Sequence, residues 1–166
     1  MMPANDKTTH ATDSPTGINA NAPVVGASEI EIDATPEAVW EVLTDFEAWP
    51  SWNPDVKSMT VEGPVAARSV FRWKAGPGTI ESTIQRVEQP RVIAWTGTTL
   101  GIKAIHFWHL EPHNGSTFVR TEESYEGLVT RLFRRPLQKT LDRALADGLR
   151  YLKTEVERRS YGELAG

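Results

Sequence analysis

Between Pro136 and Ser160 the residues Leu137, Leu141, Ala144, Leu145, Gly148, Leu149, Leu152 and Val156 recur at steps of three and four. Gln138, Lys139, Asp142, Arg143, Asp147, Arg150, Lys153, Glu155 and Glu157 fill the other side, so the run predicts an amphipathic helix with one apolar stripe. Pro136 suits the first turn, where its fixed φ is already helical and its missing N–H would have no partner. At 1.5 Å per residue the helix reaches about 36 Å. No single small neighbour covers that length, so the rest of the chain must supply a broad apolar surface.

The stretch from Val56 to Gly127 supplies it. Strand patterns are broken at Gly63-Pro64, Gly76-Pro77-Gly78, Gln89-Pro90, Leu100-Gly101 and Pro112 to Gly115, with no helical pattern between them. That spacing predicts an antiparallel meander. Side chains alternate faces and hairpin partners share one. Tight hairpins then place Met59, Phe71, Trp73, Ser82, Ile84, Trp95, His106, Trp108, Thr121, Glu123 and Tyr125 on one apolar face. The same register sets His106 opposite Thr121, with Glu123 on the diagonal. The other face collects polar residues such as Arg72, Glu81, Thr96, Lys103 and Arg120, with Phe107 and Phe118 as exceptions that offer a surface for a protein partner.

Ahead of the meander, Ile30, Ile32 and Ala34 alternate with acidic residues in a half-buried strand from Ser28 to Ala34. Thr35-Pro36-Glu37 then starts a helix with a hydroxyl cap, a proline in the first turn and an acid at the positive dipole end. Asp45 to Asp55 follows as a rigid, irregular segment with two prolines and two tryptophans. With 166 residues, one domain is expected. The lack of cysteine excludes disulfides, thiolate metal sites and a cysteine nucleophile. A net charge of −4 gives no general pull toward nucleic acid or an anionic membrane, and no apolar run approaches the length of a membrane span, so no stable membrane insertion is expected. Residues 1–25, rich in Asn, Thr, Ala, Pro and Asp, lack the pattern of a signal peptide and read as a disordered tail of a cytoplasmic protein. The domain spans 26–160, with a flexible end at 161–166.

These pieces, SEIEIDA, TPEAVWEVLTD, FEAWPSWNP, PRVIAW, HFWHLEP, GSTFVRTEESYEG and the amphipathic end, resemble the START-like helix-grip superfamily in its polyketide cyclase/dehydrase (SRPBCC) branch. The resemblance covers about Ser28 to Arg159. It implies an α+β helix-grip fold in which a curved antiparallel sheet of about seven strands, in the order β-α-α-β6-α, wraps a long C-terminal helix. It also implies a deep apolar cavity between sheet and helix. That fold hosts carriers, cyclases, hydrolases and receptors, so it does not select one function. In the same branch a histidine opening H-x-[FW]-x-L and a glutamate in E-x-[FY]-x-G are frequent, and here they fall on His106 and Glu123.

The residues carry their own hint of a hollow. Ser69, Ser82, Gly97, Ala104, Thr117 and Thr121 on the sheet, with Ala144 and Gly148 on the helix, are small where bulk would fit. They either leave room for a ligand or let helix and sheet approach closely. His106 and Glu123 on an apolar wall serve either as a proton-transfer pair or as a structural pair satisfying each other's hydrogen bonds. Trp49, Trp52, Trp73, Trp95 and Trp108 either line a pocket or pack the core, and Leu141 and Leu145 complete the helix side. Strand alternation sends His106 and His109 to opposite faces, so no metal is expected. Arg131, Arg134, Arg135 and Lys139 oppose the helix dipole, so they either form a solvated run or meet an anionic ligand head group, an acidic membrane surface or a partner. Leu128, Val129, Leu132 and Phe133 beside them are candidates for a flap at the mouth. The expected function is binding or transport of a hydrophobic small molecule, a lipid, polyketide or aromatic metabolite, without a cofactor. The alternative is a polyketide cyclase or aromatase using His106 and Glu123.

Overall fold

The computed structural model describes residues 15–164. Residues 1–14 of the expected tail and the last two residues of the expected flexible end lie outside them. The elements run β1 (Val24–Ile32), α1 (Pro36–Thr44), a 3-10 turn (Phe46–Ala48), α2 (Trp49–Trp52), β2 (Ser58–Val61), β3 (Val70–Lys74), β4 (Thr79–Glu88), β5 (Val92–Thr99), β6 (Ile102–His113), β7 (Ser116–Glu126), α3 (Leu128–Leu132) and α4 (Arg134–Leu164). The seven strands form one antiparallel sheet in the order β1-β7-β6-β5-β4-β3-β2. The meander is therefore continuous, and β1 closes onto β7.

Several boundaries differ from the sequence reading. β1 begins at Val24, and the residues before it are tied down, since Asn19 N–H donates to Ser124 Oγ at 3.1 Å. That polar, proline-punctuated segment owes its order to a partner on β7, which its composition does not disclose. α4 runs on to Leu164, about 46 Å for its 31 residues. The segment read as a flap contains a short helix, α3. Phe107 is fully buried against His109, whose ring lies stacked on it at 5.7 Å, so it offers no docking surface.

Local chemistry explains the turns. Thr35 Oγ1 accepts the Ala38 N–H at 3.3 Å and caps α1. Leu100-Gly101 and Asn114-Gly115 both have positive φ at two successive residues, the geometry of the tight turns that match strand twist.

The interior divides in two along α4. Its C-terminal half packs solidly, with Leu149, Leu152 and Val156 meeting α1, the sheet and an aromatic cluster around Phe46, Trp49, Phe71 and Trp95. Its N-terminal half touches only a small cluster, in which Leu141 and Leu145 meet Val24. Gly26 on β1 permits that contact, since a Cβ there would lie 3.0 Å from Leu145 Cδ1 and 3.1 Å from Leu141 Cγ. The helix thus leans on β1 and leaves the middle strands uncovered on this side.

Candidate ligand cavity

Cross-strand pairing places residues in rows across the sheet, and two neighbouring rows differ sharply in bulk. One row runs Ile84, Trp95, His106, Glu123 and Gly26. The next runs Phe71, Ser82, Gly97, Ala104, Tyr125 and Val24, with three small residues together at its centre. Above that centre, beneath the N-terminal half of α4, lies a cavity of about 340 Å³. This volume falls within the range of small-molecule sites.

Trp73, Ile80, Ser82, Trp95, Gly97, Ala104, Glu123 and Tyr125 line its floor. Two hairpin ends, Ala75 to Gly78 and Thr99 to Ile102, form one rim, and Val129, Leu137 and Thr140 form the other. Gly127 lets α3 sit against the second hairpin. Its φ is +127°, and a Cβ would fall on the carbonyl oxygen of Gly101, so a side chain at this position is excluded twice over.

Of the residues singled out in the sequence, Trp73, Ser82, Trp95, Glu123 and Tyr125 line the cavity. Trp49, Met59, Phe71, Ile84 and Trp108 are buried in the aromatic core instead, with Trp52 packed at its edge. Trp49 Nε1 donates to Leu43 O at 2.9 Å, a core satisfaction rather than a ligand contact. Leu141 and Leu145 fasten α4 to β1. Ala144 is exposed, and a Cβ on Gly148 would meet nothing within 4 Å. The buried stripe is narrower than its periodicity predicts, because α4 leans to one side of the sheet and turns Ala144 out to solvent. Leu137 and Thr140, about two turns earlier, take the place expected for Ala144 and Gly148. The rim residues Pro77 and Leu100 escaped notice because turns read as surface, although an apolar side chain at a turn position is itself a signal.

The pairing of β6 with β7 also differs from expectation. Glu123, not Thr121, lies directly opposite His106, while Thr121 pairs with Trp108. Thr121 still reaches the ring diagonally, with Oγ1 2.7 Å from His106 Nε2. Thr121 donates its own proton to Phe107 O at 3.3 Å, so its oxygen accepts from His106 Nε2–H. This assigns the tautomer and leaves Nδ1 as a bare acceptor without a hydrogen-bond partner. Facing it at 3.5 Å is Glu123 Oε2.

Burial decides the charge of this pair. It pushes the Glu123 carboxyl up to about 8, opposed weakly by the neighbouring Tyr125 hydroxyl, and pushes the His106 imidazole down to about 3. The Tyr125 hydroxyl is raised as well, by burial first and then by Glu123. At neutral pH the cavity wall therefore carries an uncharged carboxylic acid backed by a neutral ring. Closing the gap by about half an ångström would make it a hydrogen bond.

Linkage gives this a measurable sign. Unfolded Glu123 loses its proton near 4.5 and native Glu123 near 8, so stability from this group falls as pH rises through that window. His106 works the other way, losing stability as pH drops from 6.5 toward 3. Together they give a plateau between about pH 4.5 and 6.5, where the two slopes cancel. Thermal unfolding at pH 6 and pH 9 should show a clear alkaline loss in the native chain and a smaller one in Glu123→Gln. Equal losses would refute the protonated state.

Among the described residues no group of three or more His, Asp or Glu side chains converges as a metal site would require. No helix among them is long and apolar enough to cross a membrane. The model of the family described as polyketide cyclase / dehydrase and lipid transport matches residues 24–157. The chain belongs to this family. No curated protein matches it. Among solved structures it is similar to the hypothetical protein jhp0584 from Helicobacter pylori, at TM-score 0.74 and 14% identity, covering 94% of this chain and 99% of that one. It is also similar to the Zhui aromatase/cyclase from Streptomyces sp. R1128, at 0.68 and 18%, covering 82% and 94%. A START superfamily protein from Mycobacterium smegmatis follows at 0.62 and 17%, covering 81% and 97%. These likenesses establish the helix-grip fold that the sequence led us to expect, with the same curved sheet and terminal helix. A cavity between sheet and helix is thus a feature that this family member carries at a defined place.

Proposed function

We propose that the protein binds and carries a hydrophobic small molecule, such as a lipid, polyketide or aromatic metabolite, in the cavity under the N-terminal half of α4. One observation carries this reading. The sheet places Ser82, Gly97 and Ala104 side by side at the floor of the hollow, while the adjacent row and the other half of the helix are filled with large side chains. A chain that could pack so densely on one side has no packing reason to stay empty on the other. The cytoplasmic setting expected from the sequence is part of the same proposal.

Native mass spectrometry of freshly purified protein, followed by solvent extraction, tests it. A bound mass, or saturable uptake of a fluorescent apolar probe by the emptied protein, is the expected result. An empty chain that takes up no such probe would overturn the reading.

A cyclase reading has its own observation, the buried Glu123 carboxyl on the cavity wall with an unpartnered ring nitrogen behind it at 3.5 Å. There Glu123 would turn its one carboxyl proton, which in the empty cavity has His106 Nδ1 as its nearest acceptor, to a ligand carbonyl, and enclosure would bring distant parts of a flexible chain together. Turnover of a candidate polyketide should then vanish in Glu123→Gln and in His106→Ala while binding persists. Unchanged turnover in both would exclude this role.

A further inference from the structure

Large apolar side chains are rarely left in water without a reason when several gather at one place. Five are strongly exposed among the described residues, and four of these, Leu100 at 68%, Leu128 at 71%, Leu132 at 70% and Phe133 at 57%, belong to the two elements that meet at the cavity rim. Leu100 lies on the hairpin end that rims the cavity, and the others lie on or just after α3, whose Val129 forms the opposite rim. The two elements are in contact, since a Cβ on Gly101 would meet Val129 Cγ2 at 3.5 Å. These side chains stand out from a five-residue helix and a tight turn on either side of the opening.

Beside them Arg131, Arg134, Arg135 and Lys139 are all exposed. None is paired with a carboxylate among the described residues, whereas Arg72, Arg86, Arg120, Arg143, Arg150 and Lys153 are. From Leu128 to Lys139 the sequence contains no acidic residue. A chain with net charge −4 thus holds a local cationic field around its apolar knobs.

We infer that this rim docks the protein on an anionic lipid bilayer. Projecting apolar side chains enter the headgroup boundary, and the cations beside them meet acidic headgroups. The chain's acidic remainder is repelled by the same surface, so the patch also sets orientation, with the mouth turned to the membrane. A fluid headgroup layer accommodates apolar side chains set around an opening, and its acidic headgroups match the unpaired cations beside them. The inference goes beyond ligand binding, because it concerns the surface and holds for an empty or a filled cavity.

Flotation of the full chain with vesicles of pure phosphatidylcholine, and of phosphatidylcholine containing phosphatidylglycerol, tests it. The expected result is at least tenfold stronger partitioning onto the anionic vesicles, reversed by high salt. Leu132→Ser with Phe133→Ser, and separately Arg134→Glu with Arg135→Glu, should each weaken it at least tenfold, with circular dichroism unchanged. Arg91→Glu, a control at an exposed cation in the β4–β5 turn at the opposite end of the sheet, should leave it within twofold. Ala104→Trp, which obstructs the hollow and spares the rim, should float like the native chain, so failure of ligand binding and failure of docking are read apart. No partitioning, equal partitioning onto neutral vesicles, or equal loss in the Arg91 control would overturn the proposal. So would a dimer that the Leu132/Phe133 variant dissociates while vesicle binding is unchanged, which would mark the rim as a self-association surface.

Discussion

Ala104→Trp is expected to weaken binding of any cavity ligand by roughly 60-fold, at little cost to the fold. Ala104 sits between Gly97 and Tyr125 in the small-residue row, on the cavity wall. An indole projecting from it would take up ligand space and displace about 100 Å² of apolar contact. At about 25 cal/mol per Å² this is about 2.5 kcal/mol, close to two decades in affinity. The ring fills an existing space, so it need not force the overpacking that a filled core would suffer. Titration with an apolar fluorophore, alongside thermal unfolding, separates the two effects. Undiminished affinity in a folded variant would mean that the ligand lies elsewhere.

Phe46→Ala is expected to do the reverse, costing about 3–5 kcal/mol of stability. The Phe46 ring is 2% exposed and meets Phe71 at 4.7 Å, Trp95 at 5.7 Å and Trp49 at 6.0 Å between centroids. It is the piece that joins the 3-10 turn to the sheet, and its loss leaves an apolar void among rings too rigid to collapse into it. For a domain of this size the melting temperature should fall by roughly 8–15 °C. Denaturant unfolding should shift its midpoint with the slope unchanged. A loss below about 1 kcal/mol would show that the aromatic cluster is loosely packed and that the division of the interior is wrong.

These two substitutions mark how far the sequence could be read. Alternation of side chains in β4 to β7 is local, and it put Ser82, Gly97, Ala104, Glu123 and Tyr125 on one face correctly. Register is not local. The β6 to β7 hairpin was paired two residues out of step at His106, because the extent of its turn, Asn114-Gly115, cannot be judged from composition when Pro112 and His113 also look like turn residues. The β4 to β5 hairpin closes with Glu88 opposite Val92, later than the break at Gln89-Pro90 suggests, and a bulge between Ile84 and Arg86 then steps the pairing by one residue. Together they set Trp95 opposite Ile84 in the bulky row and Gly97 opposite Ser82 in the small-residue row.

The helix shows the same limit on a larger scale. Its stripe identified Leu141, Leu149, Leu152 and Val156 as inward, since a 3.6-residue period needs only the chain itself. Ala144 was placed inward by the same rule and lies in solvent. The difference arises from where the rod rests. Gly26 admits Leu141 and Leu145 so closely that α4 rolls onto β1, and no periodicity contains that contact. Amino-acid order alone thus determined which stretches are strands and helices, which face of each is apolar, and the family to which their succession belongs, because these follow from neighbours along the backbone. The hollow's position, the uncharged state of Glu123 beside His106, and the gathering of exposed leucines with unpaired arginines around one mouth were decided only when distant segments met. Burial, and with it both charge and exposure, is a property of the assembled fold.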